Sequence, residues 1–480
     1  MAQMPSLSST DPSEWQYVAE GGANVVLSHQ SRARAPAESG LSTPFDGLLI
    51  RVRKRKLARN NIQTGSEEPA VYDKVDSSEF GKHVIEPLLA RAARLKPECE
   101  DSLCVVQDQV DVYPDWLRAL NQSLNDSGQR PPERLGQDEV DDRCTQVVIC
   151  EDLIGGSNVV SVEIKPKWGF VPSAQHLPDS DRDIKTKYCR FCMHRYMKEA
   201  HKHPMQALER HQSGYCPLDL YSGDEARVNK AVKALWSGWE ASHGSANNLR
   251  IFVDGKRVEP HDDPGLARLR TLLLQSKTHE APASTLDLFA SQLTHALITS
   301  PALSALKDLQ SSLDPFDIQG LATVPSLNLE GGALPENLSG QPSLDEWKSW
   351  LDRRFLQTES PSMETVRSES DALRSALLSY LMSATFKDCS MIVRFQYRDP
   401  ASLSPQHALT SPPSPSSTSP PESRLTRIAQ QPRVTVKLID LDPKPMSKVP
   451  HYYKLDKDIL DTWRTMLTGL PDQCRVRECA

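Results

Sequence analysis

A chain of 480 residues, 38% hydrophobic and 25% charged, can bury one large two-lobed core or two to three domains, and it has no run of about 18 apolar residues to span a bilayer. Its net charge of -7 excludes a protein that coats nucleic acid generally, but not an anionic small ligand, which responds only to local charge. The 10 cysteines are scattered as reduced intracellular thiols are, and MAQMPSLSSTDPSEW lacks the basic region and apolar core of a secretory signal.

Trp15 to His29 alternates on both sides of Gly21 and Gly22 and predicts a hairpin with a glycine turn. Such a tip can lie over phosphates, because glycine lets backbone amides approach closely, although most such tips are only turns. Phe45 to Val52 predicts a partner strand running into Arg51, Arg53, Lys54, Arg55 and Lys56. Alternation puts Arg51 and Arg53 on one face and Lys54 and Lys56 on the other. The run reads equally as a strand with a basic end, a polyanion contact or a nuclear import signal. Ser78 to Lys96 has helical spacing, Val105 to Val112 reads as a strand, and Asn121 to Asp142 as a polar, loop-rich insertion. Thr145 to Leu153 predicts a buried strand ending on Glu151 and Asp152; by analogy with two-lobed kinases, such an end holds an adenine through backbone groups.

Ser161 to Phe170, SVEIKPKWGF, is an alternating run that ends in Lys165, Pro166 and Lys167. In a strand, residues two apart share a face, so both lysines are expected to project into one cleft. From Asp181 to His211 the chain is strongly basic, and Arg190, His194 and Lys198 form one stripe on a helix. Cys189, Cys192, His194 and Cys216 invite a zinc reading, but no second ligand pair follows at finger-like spacing. Glu225 to Trp236 is helical, Asn247 and Asn248 precede a short strand, and Leu266 to Leu309 is largely helical. Asp314 to Gln341 has no clear period and reads as a loop or weakly ordered insertion.

Leu373 to Thr385 predicts an apolar helix that delivers Lys387 and Asp388 into the strand SMIVRFQ. A Ser- and Pro-dominated stretch, expected to be disordered, separates it from the partner strand RVTVKLID, which ends on Asp440. Antiparallel pairing brings Asp388 and Asp440 to one end of the sheet. That arrangement suits phosphoryl transfer, with one carboxylate taking the proton of the attacking hydroxyl and the other holding magnesium. A closing helix fills the tail.

The ordered set EGGAN, LLIRVRK, EIKPKWGF, CRFCMH, PLDLYSG, NNLRIF, KDCSMI, IDLDPKP and YYKLDK resembles the inositol-pentakisphosphate 2-kinase family, in a fungal-type member, from about residue 14 to residue 463. The resemblance implies an α+β, bilobal kinase-like fold with ATP between the lobes. Residues 1–153 would form the N-terminal lobe, residues 154–480 a C-terminal lobe with the inositol phosphate region, and residues 399–430 the disordered insertion. It places Gly21, Gly22, Asn24 and Arg51 at the nucleotide, where the kinase analogy adds Glu151 at the hinge, and it puts Lys165 on the transferred phosphate, Asp388 as base and Asp440 as magnesium ligand. Lys167, Lys198, Asn247, Asn248, Lys444 and Tyr452 fall on substrate contacts, as does Lys448, which stands where plant members carry an arginine. Plant members also hold zinc in a mid-chain Cys/His site; Leu266 to Leu373 contains no cysteine, so that metal is expected to be absent.

The implied activity is ATP- and magnesium-dependent phosphorylation of the 2-hydroxyl of inositol 1,3,4,5,6-pentakisphosphate to inositol hexakisphosphate (phytate). Five phosphates need a dense basic pocket, with Lys167, the 182–202 segment and Lys444 to Lys454 as suppliers. A non-catalytic inositol-polyphosphate scaffold and a zinc or nucleic-acid module on Cys189 to Cys216 are the rivals. The expected protein is a monomer without membrane or direct nucleic-acid contact, in nucleus or cytoplasm.

Overall fold

Alternating strands shape the first part of the chain. The computed structural model describes residues 5–21, 24–29, 44–57, 76–94, 102–105, 107–132, 134–200, 204–275, 284–356, 361–398, 431–470 and 476–479, so Gly22 and the insertion 399–430 lie outside the described residues. Strands β1 (Trp15–Glu20), β2 (Asn24–His29), β3 (Leu48–Lys56), β4 (Gln107–Asp111), β5 (Asp138–Val140) and β6 (Gln146–Glu151) form one antiparallel sheet, ordered β1-β2-β3-β6-β4 with β5 on β3. The Gly21 N–H bonds the Asn24 carbonyl at 3.0 Å and closes the first hairpin.

Strand β3 divides its basic run between two faces. Arg51 is half-buried on one, while Lys54 is buried on the other and lies 2.7 Å from Glu20 Oε2 and 3.0 Å from Asp138 Oδ2. Arg130 completes the group, 2.8 Å from Glu20 and 2.5 Å from Asp138. Burial alone would raise the Glu20 carboxyl, but Arg130 and Lys54 outweigh it and hold it below its ordinary value. The insertion expected over Asn121 to Asp142 opens on the end of a helix and is otherwise turns and the short β5: Pro114–Asp126 begins on a proline and buries Trp116, Leu117, Leu120 and Leu124 along one stripe.

The second sheet comprises β7 (Val159–Ile164), β8 (Leu249–Val253), β9 (Lys256–Val258), β10 (Ser390–Gln396) and β11 (Arg433–Ile439), antiparallel throughout and ordered β11-β10-β7-β8-β9. All six residues of β7 are buried, as befits a central strand. The core on this sheet takes in Glu225–Ala241, Thr285–Thr299, Ala302–Ser312 and Ser370–Asp388. The stretch 314–341, expected to be weakly ordered, is packed: Phe316, Ile318, Leu321, Val324, Leu327 and Leu329 are buried. Its apolar residues serve short helices at Asp317–Leu321 and Glu336–Ser339, too brief to leave a periodic signal.

Three contacts tie the second sheet to β3 and to the segment that precedes β4. Cys104 forms a parallel bridge with Leu438, Lys437 Nζ donates to the carbonyls of Ser102 (2.6 Å) and Cys104 (3.2 Å), and Arg51 reaches Asp442. Among the described residues no helix is long and apolar enough to cross a membrane. Replacing Lys54 with Met would leave Arg130 facing two buried carboxylates; chemical denaturation should show a loss of about 3–5 kcal/mol, and an unchanged midpoint would mean that the group contributes nothing.

Candidate active site

The helix Ser370–Asp388 ends on Asp388, Cys389 turns the chain, and β10 begins at Ser390. Ser390 pairs with Ile439, so Asp388 and Asp440 flank the same end of the hairpin. Strand β7 stops at Ile164, where the Lys165 N–H already bonds the Asn248 carbonyl at 3.1 Å. Lys165 and Lys167 therefore do not share a strand face. Lys167 is in the left-handed region (φ 64°), and this turn aims its side chain into the cleft. Lys165 Nζ lies 3.3 Å from Asp440 Oδ2, and Lys167 Nζ lies 3.3 Å from Asp388 Oδ1. Lys444 Nζ is 3.0 Å from the other Asp388 oxygen.

Asp440 is also left-handed (φ 61°). Ser390 Oγ lies 3.1 Å from Asp440 Oδ2 and 3.0 Å from Glu163 Oε1, and Glu163 is held by Arg250 at 3.1 Å. Burial would raise Asp388, yet Lys444 and Lys167 overcome it and depress the carboxyl. Lys167 is lowered in turn by burial, with Asp388 opposing.

Of these groups Asp388, Lys167 and Lys444 line a cavity of about 1190 Å³, together with Arg190, His194, Lys198 and Tyr452 and with Asn247 and Asn248 on its wall; Lys165 and Asp440 are not among the lining residues. Arg190, His194 and Lys198 project from one face of Arg190–Ala200, as their spacing predicts. Arg190 is aimed by Asp456 Oδ1 at 2.8 Å and lies over the Trp168 ring, 4.7 Å from its centroid. His194 is driven down to about 4 by burial first, then by Lys198, Arg190 and Lys167. At neutral pH it is an uncharged imidazole among cations.

The basic segment supplies less charge than its composition suggests. Lys185 is buried between Asp317 and Asp456, 2.6 Å from each, and Arg182 pairs with Asp179 at 2.7 Å. Lys230 and Lys233, on the wall from Glu225–Ala241, were legible as an i, i+3 pair but not singled out. Lys448 is exposed in the turn Met446–Lys448 and Lys454 is exposed on Val449–Gly469; neither is among the residues lining the cavity. On the first sheet Asn24 opposes Arg53, Glu151 is exposed at the end of β6, and Arg51 lies 3.4 Å from Asp442.

Sequence reasoning missed Gln310. Its amide is fully buried; Oε1 accepts the Gly169 N–H at 2.7 Å, and Nε2 lies 3.0 Å from the Lys167 carbonyl, 3.0 Å from the Phe386 carbonyl and 3.3 Å from Tyr221 Oη. One side chain thus ties the lysine loop to the end of the helix that carries Asp388. Tyr215 Oη donates to the Pro166 carbonyl at 2.8 Å and Tyr221 Oη to the Lys167 carbonyl at 3.3 Å. Gly169 has no substitute here, since a Cβ would meet the Tyr221 ring at 2.6 Å. A lone Gln among the polar residues of an amphipathic helix carries no sequence signal. The assembly presents oxygen donors for a hard cation beside a cavity suited to a polyanion.

Residues 17–458 match the family model described as inositol-pentakisphosphate 2-kinase. The chain is similar to proteins named inositol-pentakisphosphate 2-kinase from Cryptococcus neoformans (29% identical, 95% of this chain and 94% of that one), Arabidopsis thaliana (27%, 95% and 94%) and Danio rerio (26%, 98% and 97%).

Two outcomes follow from the site. Gln310→Leu leaves an N–H and two carbonyls without this partner, and denaturant unfolding should register a loss of about 1–3 kcal/mol at least. A polyanion in the cavity favours the charged form of His194, so its binding should take up a proton and strengthen as pH falls from 7.5 toward about 6.5, the ordinary histidine value. Calorimetry in buffers of different ionisation heat should show smaller uptake for His194→Gln; equal uptake would remove His194 from the site.

Proposed function

Because the chain belongs to the inositol-pentakisphosphate 2-kinase family, we propose that this inositol phosphate kinase moves the γ-phosphoryl group of ATP to the axial 2-hydroxyl of inositol 1,3,4,5,6-pentakisphosphate, giving inositol hexakisphosphate and ADP. The observation that carries this reading is the hairpin end itself, where Asp388, paired with Lys167 and Lys444, lines a basic cavity and Asp440, paired with Lys165, stands at the same end of the two strands. In this reading the two sheets with their cores are the two lobes of a kinase. The nucleotide lies between them, under the tip that includes Gly21 and Asn24 and beside Arg51, with its adenine toward Glu151.

The inositol phosphates occupy the cavity and are met by Lys167, Arg190, Lys198, Asn247, Asn248, Lys444 and Tyr452. A phosphate group carries about -1.5 to -2 charge near neutrality, more than the single carboxylate that Lys167 and Lys444 share without ligand. Those two cations therefore turn toward the substrate, and Asp388 loses the partners that depress it. Its freed oxygen accepts the proton of the 2-hydroxyl as that oxygen bonds to phosphorus and the bond to the ADP oxygen breaks. Lys165 donates to the transferring group, stabilising charge that spreads over its oxygens.

Magnesium suits the carboxylates of Asp440 and Asp442, which offer oxygen donors only, and when bound it would neutralise the nucleotide phosphates. Ser390 and Glu163 set the orientation of Asp440 from behind.

Purified protein given ATP, magnesium and the pentakisphosphate should yield the hexakisphosphate, with the new phosphate at position 2 by NMR. A product at another position, or ATP turnover without product, overturns the reading. Asp388→Asn should lower kcat about 10²–10⁴-fold while substrate still binds; a variant that keeps more than a tenth of the rate would show that Asp388 is not the base.

A further inference from the structure

The cavity beside the reacting groups is larger than one ligand needs. Its volume of about 1190 Å³ exceeds the roughly 300–1,000 Å³ typical of a site for a single drug-sized ligand. One wall is the helix Glu225–Ala241, which lines the cavity along one face from Ala226 to Ala241; at 1.5 Å per residue this wall runs for about 22 Å. The reacting end of the cavity is marked by Asn247 and Asn248, which follow the C-terminus of that helix. The Lys165 N–H donates to the Asn248 carbonyl at 3.1 Å, and Asn248 Nδ2 donates to the Lys165 carbonyl at 3.3 Å. Measured back along the wall from Ala241, Lys233 stands about 12 Å away and Lys230 about 16 Å away. An inositol ring whose 2-hydroxyl meets Asp388 lies at the asparagine end and leaves those turns of the wall uncovered.

The uncovered part is cationic and poorly neutralised. Lys230 shares the single carboxylate of Asp219 (3.4 Å) with Arg227 (3.0 Å) and Arg477 (2.5 Å), so three cations have one counterion among them. Lys233 pairs with Asp287 at 2.9 Å. The side chains of Lys230 and Lys233 are 56% and 44% exposed, and ion pairs in that setting are worth little and yield to a stronger anion. Arg195 and Lys198 line the same cavity from Arg190–Ala200, with Glu199 as a carboxylate beside them. Between the two lysines and the asparagines the wall consists of Ala234, Ser237 and Gly238, whose short side chains leave the groove open.

On the reading that the reacting end holds the inositol phosphate substrate, we propose that the outer part of the groove is a second anion site, where Lys230 and Lys233 hold one inositol polyphosphate while another occupies the reacting end. Each ammonium is a compact point charge with three donors, suited to phosphate, and lacks the planar fork that grips a carboxylate in two places. A phosphate group carries about -1.5 to -2 charge and outcompetes the lone carboxylates of Asp219 and Asp287. Lys230 and Lys233 are one helical turn apart, so two phosphates of one ring engage both. The outer site gathers substrate from solution and keeps it beside the reacting end, raising its local concentration. Two polyanions in one groove repel each other, which makes the outer ligand the weaker and the more sensitive to salt.

The test is calorimetric titration of the full chain, without nucleotide and at about 0.15 M salt, with inositol hexakisphosphate as the probe. The wild type should bind two molecules per chain, one more tightly than the other. Lys230→Gln/Lys233→Gln changes two exposed positions and should fold as the wild type does by circular dichroism. It should bind the weaker molecule at least about 10-fold less well and the tighter one within about twofold of the wild type. The control Lys82→Gln/Lys256→Gln removes two exposed lysines that do not line the cavity and should match the wild type. A wild type that binds one molecule, a double variant that keeps the second at full affinity, or an equal loss in the control overturns the proposal. A chain that makes hexakisphosphate from pentakisphosphate yet binds a single molecule keeps the function proposed above and loses the outer site. One that binds two molecules but makes no product keeps the outer site and loses that function.

Discussion

The structure turns on a charge exchange confined to the open end of one hairpin. Asp388 sits between Lys167 and Lys444, and Asp440 holds Lys165, so three cations needed for an anionic ligand are already paired. Neutralisation makes the cleft tolerable when it holds only water, since like charges gathered at one point repel. The pairing is also provisional. The Asp388 side chain is 59% exposed and the Asp440 side chain 48%, so solvent screens both and limits what the ion pairs are worth. A ligand with several phosphates outcompetes a lone carboxylate for the same ammonium groups. The arrangement is thus weak by construction where it must yield.

Behind that yielding layer the partners are buried and do not exchange. Asp456 fixes Arg190 and Lys185, Asp314 lies 2.5 Å from Lys387, and Gln310 holds three backbone groups together. The distinction explains two strained residues. Lys167 and Asp440 each adopt a left-handed backbone that costs a non-glycine residue about 1–2 kcal/mol. Such conformations persist only when their surroundings determine them. At Lys167 the surroundings are Gln310 and Tyr221 on its carbonyl, and hydrogen bonds of about 0.5–1.5 kcal/mol each are of the right size to offset the strain.

Much of this was legible in the residues. Strand alternation placed β1 to β3, the helical run gave the approach to Asp388, and pairing of the two strands put both carboxylates at one end. What failed did so for physical reasons. The turn at Lys167 depends on a glutamine about 140 residues away, so local periodicity could extend the strand but not bend it. The helix Pro114–Asp126 was lost because its exposed face is polar, and a polar face beside a true loop reads as loop. Asp456 reaches its partners through tertiary packing, which leaves no spacing to read.

Counting basic residues overstates the charge a ligand meets. Lys185, Lys387 and Lys54 are all nearly inaccessible and matched by buried acids, so they support the fold and add little potential to the cavity. A net-acidic chain can still build a cationic cleft if the acids nearest that cleft stand behind its cations. That is the disposition here: Asp456 and Asp314 are sealed beneath Arg190 and Lys387, while Asp388 and Asp440 face the opening. His194 completes the logic, since an imidazole held neutral by burial and then by its cationic neighbours adds no repulsion to the open cleft yet remains a proton acceptor for the moment when negative charge arrives.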